Sequence, residues 1–232
     1  MKTMMAAKPE PHLIRNVLEQ ESTAWLVGPP GFYKSFIALS MADAVANGRP
    51  WYGHQTVAGS VLYFGYDGQR SWSRRMAALT QVHGTPQGEH RIHLRAVRNA
   101  SKIEVGSAEW ANLLSLLYSL RPALIVIDDN ARGPQNHLYD TLAYVAVQNV
   151  GSTVLNVHRN AVYEDTDTEL TVVAKARMTE ESFTRYVSLE ATKQKDLPVG
   201  PIATLSPRVV EIEGVTDYYG DPVTSLVMEA DA

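Results

Sequence analysis

Gly28-Pro29-Pro30-Gly31-Phe32-Tyr33-Lys34-Ser35 sets a glycine-bearing turn, a lysine and a hydroxyl side by side, which is the chemistry of phosphate binding. Glycines let backbone N–H groups wrap phosphate oxygens, and a helix opening just beyond adds the partial positive charge of its N-terminus. Lys34 is expected to reach the β and γ phosphates of a nucleoside triphosphate, with the Ser35 hydroxyl on magnesium. Pro29, Pro30, Phe32 and Tyr33 complete the cradle. The pattern G-x-x-x-x-G-K-S/T is broken at Tyr33, which stands where the second glycine belongs. A residue there can take helical dihedrals without being glycine, provided its side chain points away from the phosphates. The alternative is a glycine-proline turn that merely precedes a helix.

Two carboxylates and a histidine lie further along. Asp128 closes Ala123-Leu124-Ile125-Val126-Ile127, the most apolar run in the chain, where a carboxylate is costly unless it has a polar task. Holding magnesium is such a task. In a parallel sheet the end of this strand can lie beside the strand end at Val27, on the edge where ligands bind. Side chains alternate along a strand, so Asp128 and Asp129 cannot face the same metal; Asp128 is assigned to it, and Asp129 to the loop or to substrate. Asp67 follows Val61-Leu62-Tyr63-Phe64-Gly65 and can orient or deprotonate the attacking water, although Asp67-Gly68 also reads as a plain turn. His158 ends Thr153-Val154-Leu155-Asn156-Val157 and is placed to sense the γ phosphate or nucleic acid, or simply to close the strand. His90, His93 and His137 have no ligand spacing, and with no cysteine the chain has neither disulfides nor thiolate zinc ligands.

The elements that must position these residues alternate. Thr23 to Val27 reads as a buried strand and Lys34 to about Ala46 as a helix, ended by Gly48, Pro50 and Gly53. Ser60–Gly65, His90–Leu94, Ala123–Asp128 and Ser152–Val157 are further strands, with helices over about 71–81, from the Ser107 cap onward, and over His137–Gln148. Such alternation predicts an α/β fold with a mostly parallel sheet flanked by helices. After His158, Leu170–Ala176, Thr184–Ala191 and Ile202–Leu205 read as strands joined by short turns, an antiparallel extension of the sheet. The division expected is an N-terminal arm or adaptor helix over 1–20, one domain over 21–210, and a weak strand or loose tail over 211–232.

The 45% hydrophobic and 20% charged fractions fit an ordinary soluble globular domain. A formal net charge of -4 argues against a protein that coats DNA non-specifically. Basic residues nevertheless cluster at Arg70, Arg74, Arg75, Arg91, Arg95 and Arg98, and again at Lys175, Arg177, Lys193 and Lys195, so a local nucleic-acid groove and an ordinary solvated face both remain open. The opening MKTMMAAKPEPH has no apolar run of signal-peptide length and no segment resembles a membrane span, which fits a cytoplasmic protein.

WLVGPPGFYKSFIALSMADAVANGRPWYG (25–53), VLYFGYDG (61–68), ALIVIDDNAR (123–132), STVLNVHRN (152–160) and LEATKQKD (189–196) together resemble the RecA/DnaB-like ATPases, specifically the RepA-like single-domain replicative helicases and their phage relatives. The resemblance implies a RecA-like P-loop core with ATP and Mg2+ as cofactors. Lys34 and Ser35 match the phosphate-loop pair, Asp128 the magnesium carboxylate, Asp67 the position of the family's catalytic glutamate, and His158 the motif coupling the γ phosphate to DNA. Lys193 and Lys195 resemble the fingers that reach the ATP of a neighbouring subunit, which implies a homo-oligomeric ring, commonly a hexamer. At i and i+2 on one strand these lysines would share a face, and positive charge there would stabilise phosphoryl transfer. Their alternative is a basic edge that blunts strand pairing.

Three departures bear on function. Tyr33 replaces glycine, Asp67 is a methylene shorter than glutamate, and Glu164, Asp165, Asp167 and Glu169 occupy a segment that would have to face DNA and would repel it. The expected activity is therefore a DNA-dependent ATPase in replication, recombination or repair, acting on single-stranded or branched DNA. The alternatives are a slow or non-hydrolysing nucleotide-binding scaffold or loader, and an ATPase coupled to another DNA-processing activity such as a nuclease.

Overall fold

A run that is apolar at every residue, as in residues 123–127, needs cover on both faces of its sheet, and the chain provides it. The computed structural model describes residues 12–65, 69–84, 91–96, 104–128, 137–159, 166–178, 183–195 and 197–231. A short antiparallel hairpin, β1 (His12–Ile14) with β2 (Leu18–Glu19), leads into β3 (Thr23–Val27). Then come α1 (Lys34–Asn47), β4 (Val61–Gly65), α2 (Gln69–His83), β5 (Ile92–Ala96), α3 (Ala108–Leu120) and β6 (Leu124–Asp128). Next is α4 (His137–Val145), which widens into a π-helical turn over Ala146–Val150 before β7 (Thr153–His158). Four longer strands end the described chain: β8 (Thr168–Met178), β9 (Phe183–Gln194), β10 (Gly200–Thr216) and β11 (Pro222–Ala230).

Nine of these strands form one sheet in the order β11-β10-β9-β8-β3-β7-β6-β4-β5. Pairing is parallel from β8 across to β5 and antiparallel from β8 out to β11, as the sequence predicts. Strand alternation sorts the buried residues into two layers. Val61, Tyr63, Leu124, Val126, Leu155 and Val157 pack with α1 and α2. Leu62, Phe64, Ile125, Ile127 and Val154 pack with α3 and α4 on the other face. Asp128 shares parity with Leu124 and Val126, so its carboxylate belongs to the α1 face.

Three expectations are corrected. Residues 12–19 form the β1–β2 hairpin rather than a helix, and Leu13, Ile14, Val17 and Leu18 are wholly buried, tying the segment to the domain; residues 1–11 lie outside the described residues. The expected boundary at 210 falls inside β10, and β11 is a full strand instead of a loose tail. Val227 and Met228 are buried against α1 and α2, because the antiparallel edge of the sheet curls back over those helices. Burying side chains of this size stabilises by about 2 kcal/mol each, which a detached tail would forgo. Finally, β7 lies between β3 and β6, so Asp128 pairs with Val157 while Val27 pairs with His158.

The segment after α1 locks this arrangement. The Trp51 indole donates to Ser40 Oγ at 2.9 Å, and the Tyr52 hydroxyl donates to the Met228 carbonyl at 2.6 Å. Burial pushes the Tyr52 phenol up to about 12. Asp43, only 5% exposed, accepts from Asn47 and Arg49 and meets His83 Nδ1 at 3.2 Å, which ties the C-terminal ends of α1 and α2 together. Among the described residues no helix is long and apolar enough to cross a membrane.

Candidate nucleotide site

The loop from Gly28 to Tyr33 turns the chain from the end of β3 into α1, and three positions in it, Gly28, Gly31 and Tyr33, have positive φ. Gly28 has φ 154°, and a Cβ there would sit 2.8 Å from the Val172 carbonyl of β8, so any side chain collides with the neighbouring strand. Tyr33, immediately before α1, has φ 57° and ψ 12°. The expectation that it takes ordinary helical dihedrals is therefore corrected: the position is left-handed, the conformation glycine favours. The strain persists because the Tyr33 ring packs against the core beside α1.

The left-handed position yields a prediction. Tyr33→Gly and Tyr33→Ala lose the same ring contacts, but only alanine keeps the backbone penalty. Tyr33→Gly is expected to be the more stable variant by about 1 kcal/mol, measured by urea unfolding. Equal midpoints and slopes would show that the backbone there is unstrained.

Lys34 is the first residue of α1 and only 5% exposed. Its Nζ donates to the Gly28 and Pro29 carbonyls, both at 2.7 Å, so the ammonium staples the loop that it serves. Two bonds leave one of its three N–H donors for a phosphate. Burial lowers its pKa; Asp128 opposes that shift and Arg159 adds to it. The Ser35 hydroxyl donates to Asp128 Oδ1 at 3.1 Å, which spans the intervening β7 from the helix side. Asp128, 5% exposed, also accepts from the Tyr63 hydroxyl at 2.9 Å on Oδ2.

A cavity of about 350 Å3 opens in front of these groups, lined by the loop, Lys34, Ser35 and Phe36, with Arg75 from α2 and Arg159 after β7. Three cations on one concave wall suit a polyanion. The Arg75 guanidinium lies 4.7 Å above the Phe36 ring, a cation–π contact that fixes its direction. A second cavity of about 250 Å3 shares Phe36 and Arg75 and continues between α2 and the β10–β11 pair, where Val209 and Leu226 add apolar surface to Arg74 and Thr224.

The other expected residues fall in different places. Asp67 and Asp129 lie outside the described residues. His158 does end the strand next to the loop, but it is not among the residues lining the cavity; its ring meets Trp25 edge-on with centroids 6.0 Å apart. Trp25 alternates with Ala24 and Leu26, which pack on the α1 layer, so His158 and Trp25 share the opposite face. Arg159, one residue on, reaches the cavity instead. The sequence put Arg75 in a basic cluster without tying it to the phosphates and gave Arg159 no role, although the alternation applied to Asp128 and Asp129 was the signal for Arg159.

Lys193 and Lys195 are not brought to this site. β9 ends at Gln194, so Lys195 lies just past it, and a register shift beside Glu169 disturbs the simple i, i+2 geometry. Thr168 pairs with both Ala24 and Gln194, which puts both lysines at the starting end of β3, away from the loop at its finish. Lys195 Nζ stands 3.8 Å from Asp167 Oδ1. Asp167 and Glu169, expected to face DNA, are engaged within the fold. Asp167 accepts from the Thr23 N–H at 2.9 Å, and Glu169, 6% exposed, accepts from the Thr192 hydroxyl at 2.6 Å. Glu164 and Asp165 lie outside the described residues.

A parallel sheet, a strand–loop–helix ending in Lys34-Ser35, and a buried carboxylate on a strand one removed from the loop strand define a RecA-like P-loop nucleoside triphosphatase fold. Residues 4–137, more than half of the chain, match the AAA domain family, and the chain belongs to it as an ATP-binding P-loop ATPase domain. The structure is similar to that of a KaiC-like protein from the hyperthermophilic archaeon Pyrococcus horikoshii OT3, with a TM-score of 0.54 and 12% identity over 94% of this chain and 93% of that one. No curated protein sequence matches the chain.

Proposed function

We propose that the chain hydrolyses ATP with Mg2+ held between Ser35 and Asp128, and that it does so as a DNA-dependent motor or remodelling ATPase of the RepA-like kind. The observation that carries the hydrolytic reading is the 3.1 Å bond between the Ser35 hydroxyl and Asp128 Oδ1, beside a cavity lined with cations. A hydroxyl and a carboxylate are hard oxygen donors. Magnesium takes one or two such protein ligands and completes its shell with water and phosphate oxygens, so this pair fits it. The metal would shield the phosphate charge; Lys34, Arg75 and Arg159 would hold the chain of phosphates in line. The base and sugar would extend into the second cavity, along Phe36 and Arg75. Asp67 is assigned to positioning the water, and His158, behind the loop strand, to relaying the state of the γ phosphate.

The ring in this reading draws support from the placement of two lysines. Lys193 and Lys195 stand at the far end of the sheet from their own loop, so any contact they make with triphosphate must cross a subunit boundary. Asp167 and Glu169, two of the four carboxylates that would repel DNA, are tied by hydrogen bonds to Thr23 and Thr192 within the fold. A second reading, a nucleotide-binding scaffold or loader with slow turnover, draws on the bonds that hold Lys34 to its own loop and on the strained Tyr33.

ATP turnover by the intact protein, with and without single-stranded DNA, separates the two. The motor reading expects Mg2+-dependent turnover that rises several-fold, on the order of 10-fold, when single-stranded DNA is added. ATP binding with no stimulation by single-stranded or forked DNA would overturn it and leave the scaffold.

A further inference from the structure

Tyr63 lies outside every phosphate-loop or metal-carboxylate pattern, yet the sheet delivers it to the centre of the site. β4 pairs with β6 so that Tyr63 stands beside Val126, and Gly65 beside Asp128. Tyr63 and Asp128 are thus diagonal neighbours on one face, within reach of a long side chain. A tyrosine that is 2% exposed must find a partner for its hydroxyl. It donates to Asp128 Oδ2 at 2.9 Å and lies 3.4 Å from the Ser35 carbonyl.

The carboxylate is therefore gripped by hydroxyls on both oxygens, Ser35 on Oδ1 and Tyr63 on Oδ2. An aspartate has a broad, roughly two-fold terminal torsion, so one hydroxyl alone would leave its plane poorly fixed. Trp72 of α2 packs on the Tyr63 ring with centroids 4.8 Å apart, which restrains the phenol itself. We infer that Tyr63 is a positioning residue: its hydroxyl holds Oδ2 so that Oδ1 is presented to the Ser35 hydroxyl and to a divalent cation on the phosphates. The inference rests on the magnesium reading of Ser35 and Asp128. It adds a link from α2, which carries Arg75 into the cavity, through Trp72 and Tyr63 to the metal carboxylate. Groups that orient metal ligands in this way typically change metal affinity about 10-fold or more when removed.

Tyr63→Phe deletes the hydroxyl and keeps the ring against Trp72. The readout is Mn2+ affinity, titrated by electron paramagnetic resonance on the full chain with a non-hydrolysable ATP analogue. Tyr63→Phe is expected to bind Mn2+ about 10-fold more weakly, while its affinity for the analogue in EDTA matches wild type. Trp72→Leu, which frees the ring but leaves the hydroxyl, is expected to give a smaller loss in the same direction. Asp128→Asn and Ser35→Ala report on the underlying site. If neither weakens Mn2+, the magnesium reading fails and the role of Tyr63 falls with it. If both weaken Mn2+ and Tyr63→Phe does not, the inference about Tyr63 alone is overturned. A lower melting temperature for Tyr63→Phe with unchanged Mn2+ affinity is that same negative result and would mark Tyr63 as a packing residue.

Discussion

Lys34→Ala is expected to lower ATP turnover by about 100-fold or more, the usual cost of removing one charged donor from a phosphoryl-transfer site. Two losses combine. The triphosphate loses an ammonium held in a buried setting, where charge interactions are stronger than in water. The loop loses the donor that links the Gly28 and Pro29 carbonyls, so the backbone N–H groups meant for phosphate are no longer held in place. Turnover and nucleotide titrations on the folded variant check this, and unchanged turnover would remove the site from consideration. The same variant tests the ring. Lys34→Ala subunits mixed with Lys195→Ala subunits should regain part of the activity, since each supplies the group that the other lacks. Confirmed co-assembly without any recovery would count against Lys195 acting across an interface.

Asp128→Asn is expected to be almost as damaging, about 100-fold in turnover, but by another route. Asparagine matches the shape of aspartate and can still accept from the Ser35 hydroxyl, so the fold around β6 should persist. What disappears is the negative charge. Nucleotide should bind the variant without metal at least as well as wild type, because a carboxylate that repels phosphate has gone, while Mg2+ should no longer accelerate hydrolysis. Nucleotide titrations in EDTA and turnover across a magnesium series measure the two arms. Metal-stimulated turnover at the wild-type level would show that Asp128 serves the core rather than the cation.

Much of this was legible without coordinates because it depends on local rules. The run from Thr23 to Ser35 announces strand, loop and helix, since phosphate loops need close backbone approach followed by a free helix end. The continuous apolar stretch before Asp128 declares a doubly covered strand with a misplaced charge at its end. Alternation of elements along the chain then requires a parallel sheet. Ser107 is read correctly as a cap because its side chain needs only the Trp110 N–H, at 3.1 Å and three residues away.

Other features depend on partners distant in sequence. Residues 12–19 look like a polar arm in isolation; they become strands because Leu13, Ile14 and Leu18 fill a gap in the core. Residues 211–230 look weak because half of β10 and β11 faces solvent, and only the curl of the sheet over α1 and α2 makes Val227 and Met228 core. Tyr33 could not be recognised as left-handed from its type, since tyrosine carries no preference for that region; the loop geometry and the ring packing impose it.

The sequence by itself determined a phosphate-loop pattern at Gly28 to Ser35 and a carboxylate, Asp128, closing a buried strand, because a motif and a hydrophobic period are properties of neighbours along the chain. The tertiary structure decided the strand order that inserts β7 between β3 and β6. It brought Tyr63 onto the carboxylate of Asp128, and Arg75 of α2 into the cavity with Arg159. Those choices follow from sheet pairing and burial between residues far apart in sequence, and no short stretch of chain encodes them.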